Sequence, residues 1–377
     1  MNEKKKIKVL QAIRQGKVGG GETHILDLVK HIDKNRFQPV VLSFTDGQMM
    51  TELKNIGVDN FIIPSEKAFD FTEWQKVKAL MQKEEIDLVH IHGTRATSNI
   101  YWAAKKLKLP IIYTIHGWSF HDDQSAFVKK GRVLFEKWIT TKTNCNISVS
   151  ISNQKTGFDN IPKFKSVVIH NGIDLKKFNP DSSERKNLRD ELNISNDAIV
   201  ISFIGRVTIQ KDPITLIKAF KKVVEQQPKA VLLLVGDGDI KQEAVALVKE
   251  LGIERSVVFE NFRNDIPDVL YSSDIYCLPS LWEGFPIGLL EAMAMRKPVI
   301  VTNVDGSSEI IQHNKNGILI DQQNEQMLAD AMLTLVNNKN VRNKLGEQAR
   351  QTIIKDFDVC KMTKSIEDVY TNVLSKN

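Results

Sequence analysis

Residues 198–239 read AIVISFIGRVTIQKDPITLIKAFKKVVEQQPKAVLLLVGDGD and contain one complete strand–helix–strand pattern. An apolar run rich in isoleucine and valine comes first (198–204), an amphipathic stretch follows (214–226), and a second apolar run closes the pattern (230–235). Two such runs separated by a helix of this length are typical of parallel strands whose sheet is covered on both faces. The stretch therefore predicts a βαβ unit.

The same alternation covers most of the chain. It runs from KIKVLQAI (6–13) to CNISVSIS (145–152), breaks at the turn-rich stretch 167–187, and resumes from 198 to 321 before a helical tail that starts at 325. We predict two doubly wound, Rossmann-like α/β domains that face each other across a cleft, with ligands at the carboxyl ends of the strands. The predicted boundaries are an N-terminal domain (1–170), a linker (171–185), a C-terminal domain (186–354) and a C-terminal helix (355–377) that packs back on the N-terminal domain.

Length and composition agree with two ordinary globular domains. The chain has 377 residues, of which 42% are hydrophobic and 26% charged, and it contains no run of ~20 apolar residues that would span a membrane. Its basic N-terminus reads as a first strand and not as a signal peptide. Cys145, Cys277 and Cys360 lie far apart without a CxxC pair, so we expect no disulfide framework and a reducing cytoplasm.

Positive charge is concentrated in the N-terminal part of the chain. Residues 1–170 contain 26 lysines and arginines and 17 acidic residues, whereas the remainder contains 26 and 29. Such a bias suggests an anionic partner, either a membrane surface or a phosphorylated substrate. The segments 103–110 and 127–138 interleave basic and apolar residues as an interfacial helix does. The alternative is that these lysines are scattered over solvated helices.

A glycine-rich loop follows the first predicted strand, in RQGKVGGGETH (14–24). Gly19, Gly20 and Gly21 precede a helix, so the backbone can approach a ligand closely and direct amide groups at an anion. The spacing differs from GxGxxG and carries no P-loop lysine, which argues against those nucleotide-binding motifs. The loop is either an anion-contacting loop or a plain tight turn.

Two cations follow the strand of the opening stretch. Arg206 and Lys211 lie just beyond a buried strand and ahead of the next helix. Cations at that position could neutralise a diphosphate. An ordinary loop with exposed basic residues explains the same pattern.

Histidines cluster in VHIHGTR (89–95) and TIHGWSFHDD (114–123). His90 and His92 point to the same side of a strand, so a metal site completed by Asp122 and Asp123 is conceivable. These segments also end adjacent strands, however, and one sheet edge would collect them without any metal. We expect no metal.

Two carboxylates flank a turn in EGFPIGLLEAM (283–293). The glycine and proline prevent one continuous helix, so Glu283 is predicted in the loop after a strand and Glu291 in the first turns of the following helix. That mouth of a strand–loop–helix unit is where α/β proteins bind ligands. A solvated loop acid and a surface helix acid are the alternative.

Taken in order, these motifs resemble the retaining glycosyltransferases of family 4, which have the GT-B fold. The segments GGGETH, TIHG, HNGID, GRVTIQK, VGDGD and EGFPIGLLEAM match landmarks of that family along nearly the whole chain. Each motif alone is weak, whereas the ordered set is specific. This chain departs from the family at Pro286, where a second glycine is usual, so one backbone donor is missing from the turn.

The resemblance implies roles for individual residues. Glu283 would contact hydroxyls of the donor sugar, and Glu291 would bind the ribose of the nucleotide. Arg206 and Lys211 would stabilise the leaving diphosphate, and His116 would lie near the reacting carbon. The remaining implied donor-binding residues are Gly20, Gly21, Phe262, Arg263, Gly284, Phe285, Pro286 and Ile287, and the implied acceptor-side residues are Gly19, His92 and His116.

The implied reaction is transfer of a sugar from a nucleoside diphosphate sugar, with UDP expected, to a glycan or polyprenyl-linked acceptor in polysaccharide biosynthesis. We expect retention of configuration by front-face attack, no cofactor or metal, no nucleic acid partner, and a cytoplasmic protein in reversible contact with an anionic membrane. An epimerase acting on sugar nucleotides and a non-catalytic protein of the same fold are the alternatives.

Overall fold

A computed structural model describes residues 5–17, 19–120 and 124–376. The chain forms two compact units. Unit 1 comprises Met1–Gly172 together with Val359–Asn377, and unit 2 comprises Ile173–Asp358.

Unit 1 is built on a seven-stranded sheet whose described strands pair in parallel. Its strand order is β3-β2-β1-β4-β5-β6-β7, so the order reverses between β1 and β4. The strands are β1 (Ile7–Ile13), β2 (Phe37–Ser43), β3 (Asp59–Ile62), β4 (Leu88–His92), β5 (Ile111–Ile115), β6 (Cys145–Ser148) and β7 (Val167–Val168).

Helices cover the sheet of unit 1. The terminal helix α14 belongs to this unit because Ile366 and Tyr370 pack in one buried cluster with Val9, Leu28 and Phe37. The helices are α1 (Gly20–His31), α2 (Gln48–Asn55), α3 (Trp74–Lys83), α4 (Thr94–Lys106), α5 (Ala126–Lys142), α6 (Ile151–Asn160) and α14 (Val359–Leu374).

Unit 2 repeats the plan with a six-stranded parallel sheet in the order β10-β9-β8-β11-β12-β13. Its strands are β8 (Ile199–Ile204), β9 (Ala230–Val235), β10 (Val257–Glu260), β11 (Ile275–Leu278), β12 (Val299–Thr302) and β13 (Ile318–Ile320). Its helices are α7 (Pro213–Gln226), α8 (Lys241–Glu250), α9 (Ile266–Ser272), α10 (Ile287–Ala294), α11 (Asp305–Ile310), α12 (Glu325–Asn337) and α13 (Lys339–Asp356).

The prediction of two doubly wound parallel sheets with a helical tail is confirmed. In such sheets ligands bind beyond the carboxyl ends of the strands at the point where the strand order reverses. That point lies between β1 and β4 in unit 1 and between β8 and β11 in unit 2. Within the described ranges, none of the helices combines the length and apolar character needed to cross a bilayer.

Candidate active site

The loop after β8 is shaped by the start of helix α7. A short 3-10 turn, Ile209–Lys211, leads into Asp212, which adopts a left-handed conformation (φ 46°). The Asp212 side chain accepts a hydrogen bond from the Thr215 amide at 3.1 Å, and Pro213 occupies the first turn of the helix. Both features favour a helix start at this position, so Lys211 is held immediately before the helix.

Lys211 contacts Glu283 in the loop after β11. The Lys211 Nζ donates to Glu283 Oε1 at 2.5 Å, and the Ser280 hydroxyl donates to the same oxygen at 2.6 Å. The backbone amide of Glu283 donates to Asp305 Oδ2 at 2.9 Å. Glu283 is only 8% exposed, so these contacts fix a nearly buried carboxylate beside a cation at the reversal point of the sheet.

Backbone contacts tie the two loops together. The Leu281 amide donates to the Gln210 carbonyl at 2.8 Å, and the Gln210 side chain donates to the Trp282 carbonyl at 2.9 Å. Arg206 reaches Gln210 at 3.4 Å and is exposed. The loops after β8 and β11 therefore form one surface that carries Arg206, Lys211 and Glu283.

The turn after Glu283 leads into helix α10. Pro286 precedes the helix with φ −74°, and Phe285 and Ile287 are buried. A side chain on Gly306 would meet the Gly284 carbonyl oxygen at 2.3 Å, so the glycine at 306 allows α11 to approach this turn. The amides of the first turn of α10 give the surface a partial positive charge.

Glu291 lies in α10, and its charge and that of Glu283 both act on the buried ring of Tyr276. Burial raises the pKa of Tyr276 well above its usual value, and the charges of Glu291 and Glu283 raise it further. The Tyr276 hydroxyl donates to the Ile204 carbonyl at 3.4 Å. Both carboxylates thus lie near one buried phenol, on the side of the sheet where β8 ends.

Phe262 and Arg263 lie in the loop after β10. The ring of Phe262 is 49% exposed. Arg263 forms ion pairs with Asp265, Glu191 and Glu260 at 2.6, 2.8 and 3.3 Å. The bond to Asp265, followed by the one to Glu191, raises the pKa of its guanidinium, although burial lowers it. The guanidinium is therefore engaged by carboxylates of the protein itself.

The segment VGDGD closes β9 and its glycines have a structural explanation. A side chain on Gly236 would lie 1.9 Å from the Gly205 carbonyl oxygen, and one on Gly238 would lie 2.2 Å from the Val207 carbonyl oxygen. These glycines allow the backbones after β8 and β9 to remain in contact.

In unit 1 the glycine loop lies against His116. Gly19 precedes helix α1, Gly20 begins it, and a side chain on Gly21 would contact the His116 ring at 3.5 Å. His116 directly follows β5. The glycine loop and His116 therefore meet near the carboxyl edge of the sheet.

Three histidines converge at that edge. His92 Nδ1 lies 3.0 Å from His116 Nε2, and the ring of His24 lies 4.9 Å from that of His116 between centroids. Burial lowers the pKa of His24 to about 4, although a hydrogen bond with Asn171 opposes the shift. Burial also lowers the pKa of His92 and of His116 well below the usual value, so all three rings are neutral at neutral pH.

His90, considered above as a metal ligand, has partners within the protein. His90 Nδ1 lies 2.7 Å from the Tyr370 hydroxyl and His90 Nε2 lies 2.7 Å from the Thr114 hydroxyl, so both ring nitrogens are engaged within the protein. Asp122 and Asp123, considered above as further ligands, lie outside the described residues.

A buried carboxylate supports the loops after β4 and β5. Glu136 of α5 accepts hydrogen bonds from the Thr94 hydroxyl at 2.7 Å, the Tyr113 hydroxyl at 3.1 Å and the Ser119 amide at 3.3 Å. Burial raises the pKa of this carboxyl group, although the three bonds lower it. Glu136 thus links α5 to the loop that carries His116.

Comparison with known proteins identifies the chain. Residues 18–177 match the family described as Glycosyltransferase Family 4, and residues 184–352 match Glycosyl transferases group 1. The chain therefore belongs to the family 4 glycosyltransferases of the GT-B fold.

Two curated bacterial relatives are similar over most of the chain. The UDP-Gal:alpha-D-GlcNAc-diphosphoundecaprenol alpha-1,3-galactosyltransferase of Escherichia coli is 29% identical over 78% of each chain. The N-acetyl-alpha-D-glucosaminyl L-malate synthase of Bacillus anthracis is 27% identical over 85% of this chain and 83% of its own.

Two solved structures share the fold. Anabaena HepE in complex with UDP and glucose superposes with a TM-score of 0.86 at 23% identity, covering 97% of this chain and all of that one. Sucrose-phosphate synthase of Thermosynechococcus elongatus gives 0.83 at 20% identity, covering 99% of this chain and all of that one.

Several residues at these two sheet edges were not singled out from the sequence. His24 is the last residue of the GGGETH motif, so the sequence did contain a signal for this site residue. Asp305 accepts a hydrogen bond from the Glu283 amide, and Tyr276 lies within the electrostatic influence of both glutamates. No sequence motif indicated either residue.

Proposed function

We propose that the chain transfers a sugar from a UDP-sugar to a phosphate-linked glycan acceptor with retention of configuration. The observation that carries the proposal is the 2.5 Å contact between Lys211 and Glu283. It joins the loop of Arg206 and Lys211 to the loop that precedes Glu291, at the edge of unit 2 where a doubly wound sheet binds ligands.

The donor-side chemistry follows from charge. As the glycosidic bond to the diphosphate breaks, negative charge develops on the leaving oxygen, and fixed cations stabilise it most effectively because they need no reorganisation. Arg206 and Lys211 are assigned this role, assisted by the amides at the start of α10. Glu283 is assigned the sugar hydroxyls, and Glu291 the ribose.

UDP is the nucleotide that the relatives favour. The E. coli relative is described as acting on UDP-Gal, and the solved HepE complexes contain UDP. We assign His116 and the glycine loop to orientation of the reacting sugar and the acceptor. The acceptor hydroxyl would attack the face that the diphosphate leaves, its proton passing to a leaving phosphate oxygen.

A panel of nucleotide sugars tests the proposal. In excess EDTA, a UDP-sugar at 100 times its Kd should stabilise the fold by ~2.7 kcal/mol, and thus raise Tm by roughly 5–10 °C for a unit of this size. Release of UDP should require an acceptor and proceed in EDTA, since two cations take the place of a metal ion. Thermal shift and a UDP-release assay measure both effects.

Two outcomes would contradict the proposal. Conversion of the UDP-sugar without any acceptor would indicate the epimerase alternative. Complete loss of transfer in EDTA, restored by a divalent ion, would contradict metal independence. A donor panel of ADP- and GDP-sugars serves as the control for base selectivity.

The acceptor is proposed to carry phosphate and to lie in a membrane. Arg14 follows β1, and its pKa is lowered by burial and by the like charge of Arg95, with Glu66 opposing. Two neighbouring guanidinium groups at the edge of unit 1 favour an anionic ligand. The name of the E. coli relative includes a diphosphoundecaprenol-linked substrate, which combines a diphosphate with a lipid.

Helix α5 supplies the surface suited to a membrane. Phe127 is 89% exposed, Leu134 57% and Val128 42%, and Lys130 and Arg132 are exposed beside them. By contrast, Leu107 and Leu109, in the other candidate interfacial segment (103–110), pack against the core. We therefore assign the contact with an anionic membrane to α5.

Sedimentation with anionic vesicles tests this assignment. We expect the chain to bind at low salt and to detach at high salt, because each basic residue near the surface contributes ~1 kcal/mol that salt screens. The double variant Phe127→Ser with Lys130→Gln should lose most of the binding.

The matched control lies on α6. Phe158 is 54% exposed and Lys155 is exposed, so Phe158→Ser with Lys155→Gln removes the same groups and should bind like the unmodified chain. Equal binding by the two double variants would exclude α5, and full activity on a soluble acceptor without vesicle binding would exclude a membrane-borne acceptor.

A further inference from the structure

The histidine cluster of unit 1 contains more nitrogen ligands than sugar transfer requires. His24 lies on α1, His92 ends β4 and His116 follows β5. One ring nitrogen of each lies within 4.8 Å of the other two. The proposed transfer needs His116 beside the sugar, and it leaves this three-way convergence without an explanation.

The hydrogen bonds of Gln11 determine which nitrogen of His92 is unprotonated. The Gln11 Nε2 donates to the Tyr370 hydroxyl at 2.8 Å, so its Oε1 faces His92 Nε2 at 2.9 Å. An amide oxygen can only accept. His92 therefore carries its proton on Nε2, and its Nδ1 presents a lone pair to the cluster.

Asn171 does the same for His24. His24 Nδ1 lies 2.9 Å from Asn171 Oδ1, so it donates, and Nε2 carries the lone pair. His24 is only 2% exposed, and among the described residues its Nε2 is buried without a hydrogen-bond partner. Buried polar atoms without a protein partner are rare, so the lone pair of His24 Nε2 is available to a ligand.

Two oriented lone pairs beside a third imidazole match the ligands of a transition metal. We propose that His24 Nε2, His92 Nδ1 and His116 Nε2 bind one transition-metal ion, for which Zn²⁺ is the best candidate. Zinc sites with three histidines leave a fourth position open, and carbonyl oxygens that accept from the other ring nitrogens, as Gln11 and Asn171 do here, strengthen them. Mg²⁺ and Ca²⁺ prefer oxygen ligands.

Binding requires the three nitrogens, which lie within 4.8 Å of one another, to approach the spacing of zinc ligands. Nitrogens bound to one tetrahedral zinc at ~2.0–2.1 Å lie roughly 3.3 Å apart, and His92 Nδ1 and His116 Nε2 are already 3.0 Å apart. The ion would replace the hydrogen bond between these two atoms, with the proton of His116 moving to Nδ1. His24 would approach by rotation of its side chain.

Binding at this site has a consequence that rests on the proposed function. An ion on His116 Nε2 occupies the ring assigned to the reacting sugar. We therefore expect Zn²⁺ to inhibit transfer and EDTA to restore it, which is compatible with catalysis that needs no metal.

The test is a metal titration of the full chain, stripped of metal and free of sugar substrates. Calorimetry with Zn²⁺ and the absorption spectrum with Co²⁺ should report one ion per chain on nitrogen ligands. His24→Ala should abolish this binding, and Asn171→Ala should weaken it by roughly 10–100-fold, as loss of an orienting partner does. His31→Ala, on the same helix, should bind normally.

Thermal unfolding in EDTA verifies that each variant folds, and Zn²⁺ should raise the Tm of the unmodified and His31→Ala chains but not that of His24→Ala. The site is excluded if the unmodified chain binds no Zn²⁺ at 100 µM, a concentration roughly 10-fold above a 10 µM Kd. It is also excluded if His24→Ala binds Zn²⁺ as tightly as the unmodified chain. These readouts need no transfer activity, so failure of the proposed function would leave them interpretable.

Discussion

Replacing Lys211 with alanine is expected to weaken UDP binding by roughly 10–150-fold, the equivalent of one charge-assisted contact worth ~1.5–3 kcal/mol. Transfer should fall further, because the ammonium also stabilises charge that develops only as the diphosphate leaves. The substitution removes the cation that lies 2.5 Å from the nearly buried Glu283. Calorimetry with UDP and the rate of UDP release at saturating donor measure the two effects separately.

Arg206→Ala should act in the same direction with a smaller effect on UDP affinity, since the exposed guanidinium is more strongly hydrated before it binds. Lys222→Ala is the matched control: it removes a lysine from α7 whose ammonium donates to Gln326 at 3.0 Å. Unchanged UDP affinity and unchanged turnover in the Lys211 variant would remove this residue from the donor site.

Replacing Glu283 with alanine should reduce turnover by roughly 100-fold or more, because displacement of the reacting sugar by about 1 Å is sufficient for such a loss. Its affinity for bare UDP should remain near that of the unmodified chain, since the sugar contact is absent from UDP. Glu291→Ala should show the reverse pattern, with UDP affinity reduced by roughly 10-fold through loss of a ribose hydrogen bond to a charged group.

The exposed Glu250 on α8 provides the control, and Glu250→Ala should change neither quantity. Glu283→Gln adds a further comparison because it keeps the volume of the side chain and loses its charge. Equal loss of UDP affinity in the Glu283 and Glu291 variants would show that the two carboxylates do not divide their roles between sugar and ribose.

Local patterns in the sequence were sufficient to predict the class of fold. Parallel strands covered on both faces need apolar runs, and the helices between them need one apolar face, so each element carries its own periodicity. The loops at the carboxyl ends of those strands collect at one edge of the sheet. Arg206, Lys211 and Glu283 were each predicted in such a loop, and the family resemblance implied one donor for all three, although 72 positions separate the last two.

Packing in the folded structure determines the hydrogen-bond and ion-pair partners of these side chains. The family resemblance implied Lys211 and Glu283 as separate ligand contacts, whereas folding also pairs them directly and adds Ser280 to the same carboxylate. The resemblance also implied that Arg263 binds the donor, and folding places carboxylates around its guanidinium. Hydrogen-bond partners depend on distances of a few tenths of an ångström, which local sequence patterns do not encode.

The histidines show the same division most clearly. From the sequence alone, His90 and His92 stand on one side of a strand as equivalent candidates. Only the tertiary structure distinguishes them. His90 forms a hydrogen bond with Tyr370, which lies on a helix 280 positions later, whereas His92 forms one with His116. Gln11 then meets the same Tyr370 across 359 positions. Strand periodicity is a local property of the backbone, but the proton that each imidazole carries depends on partners brought in by distant segments of the chain.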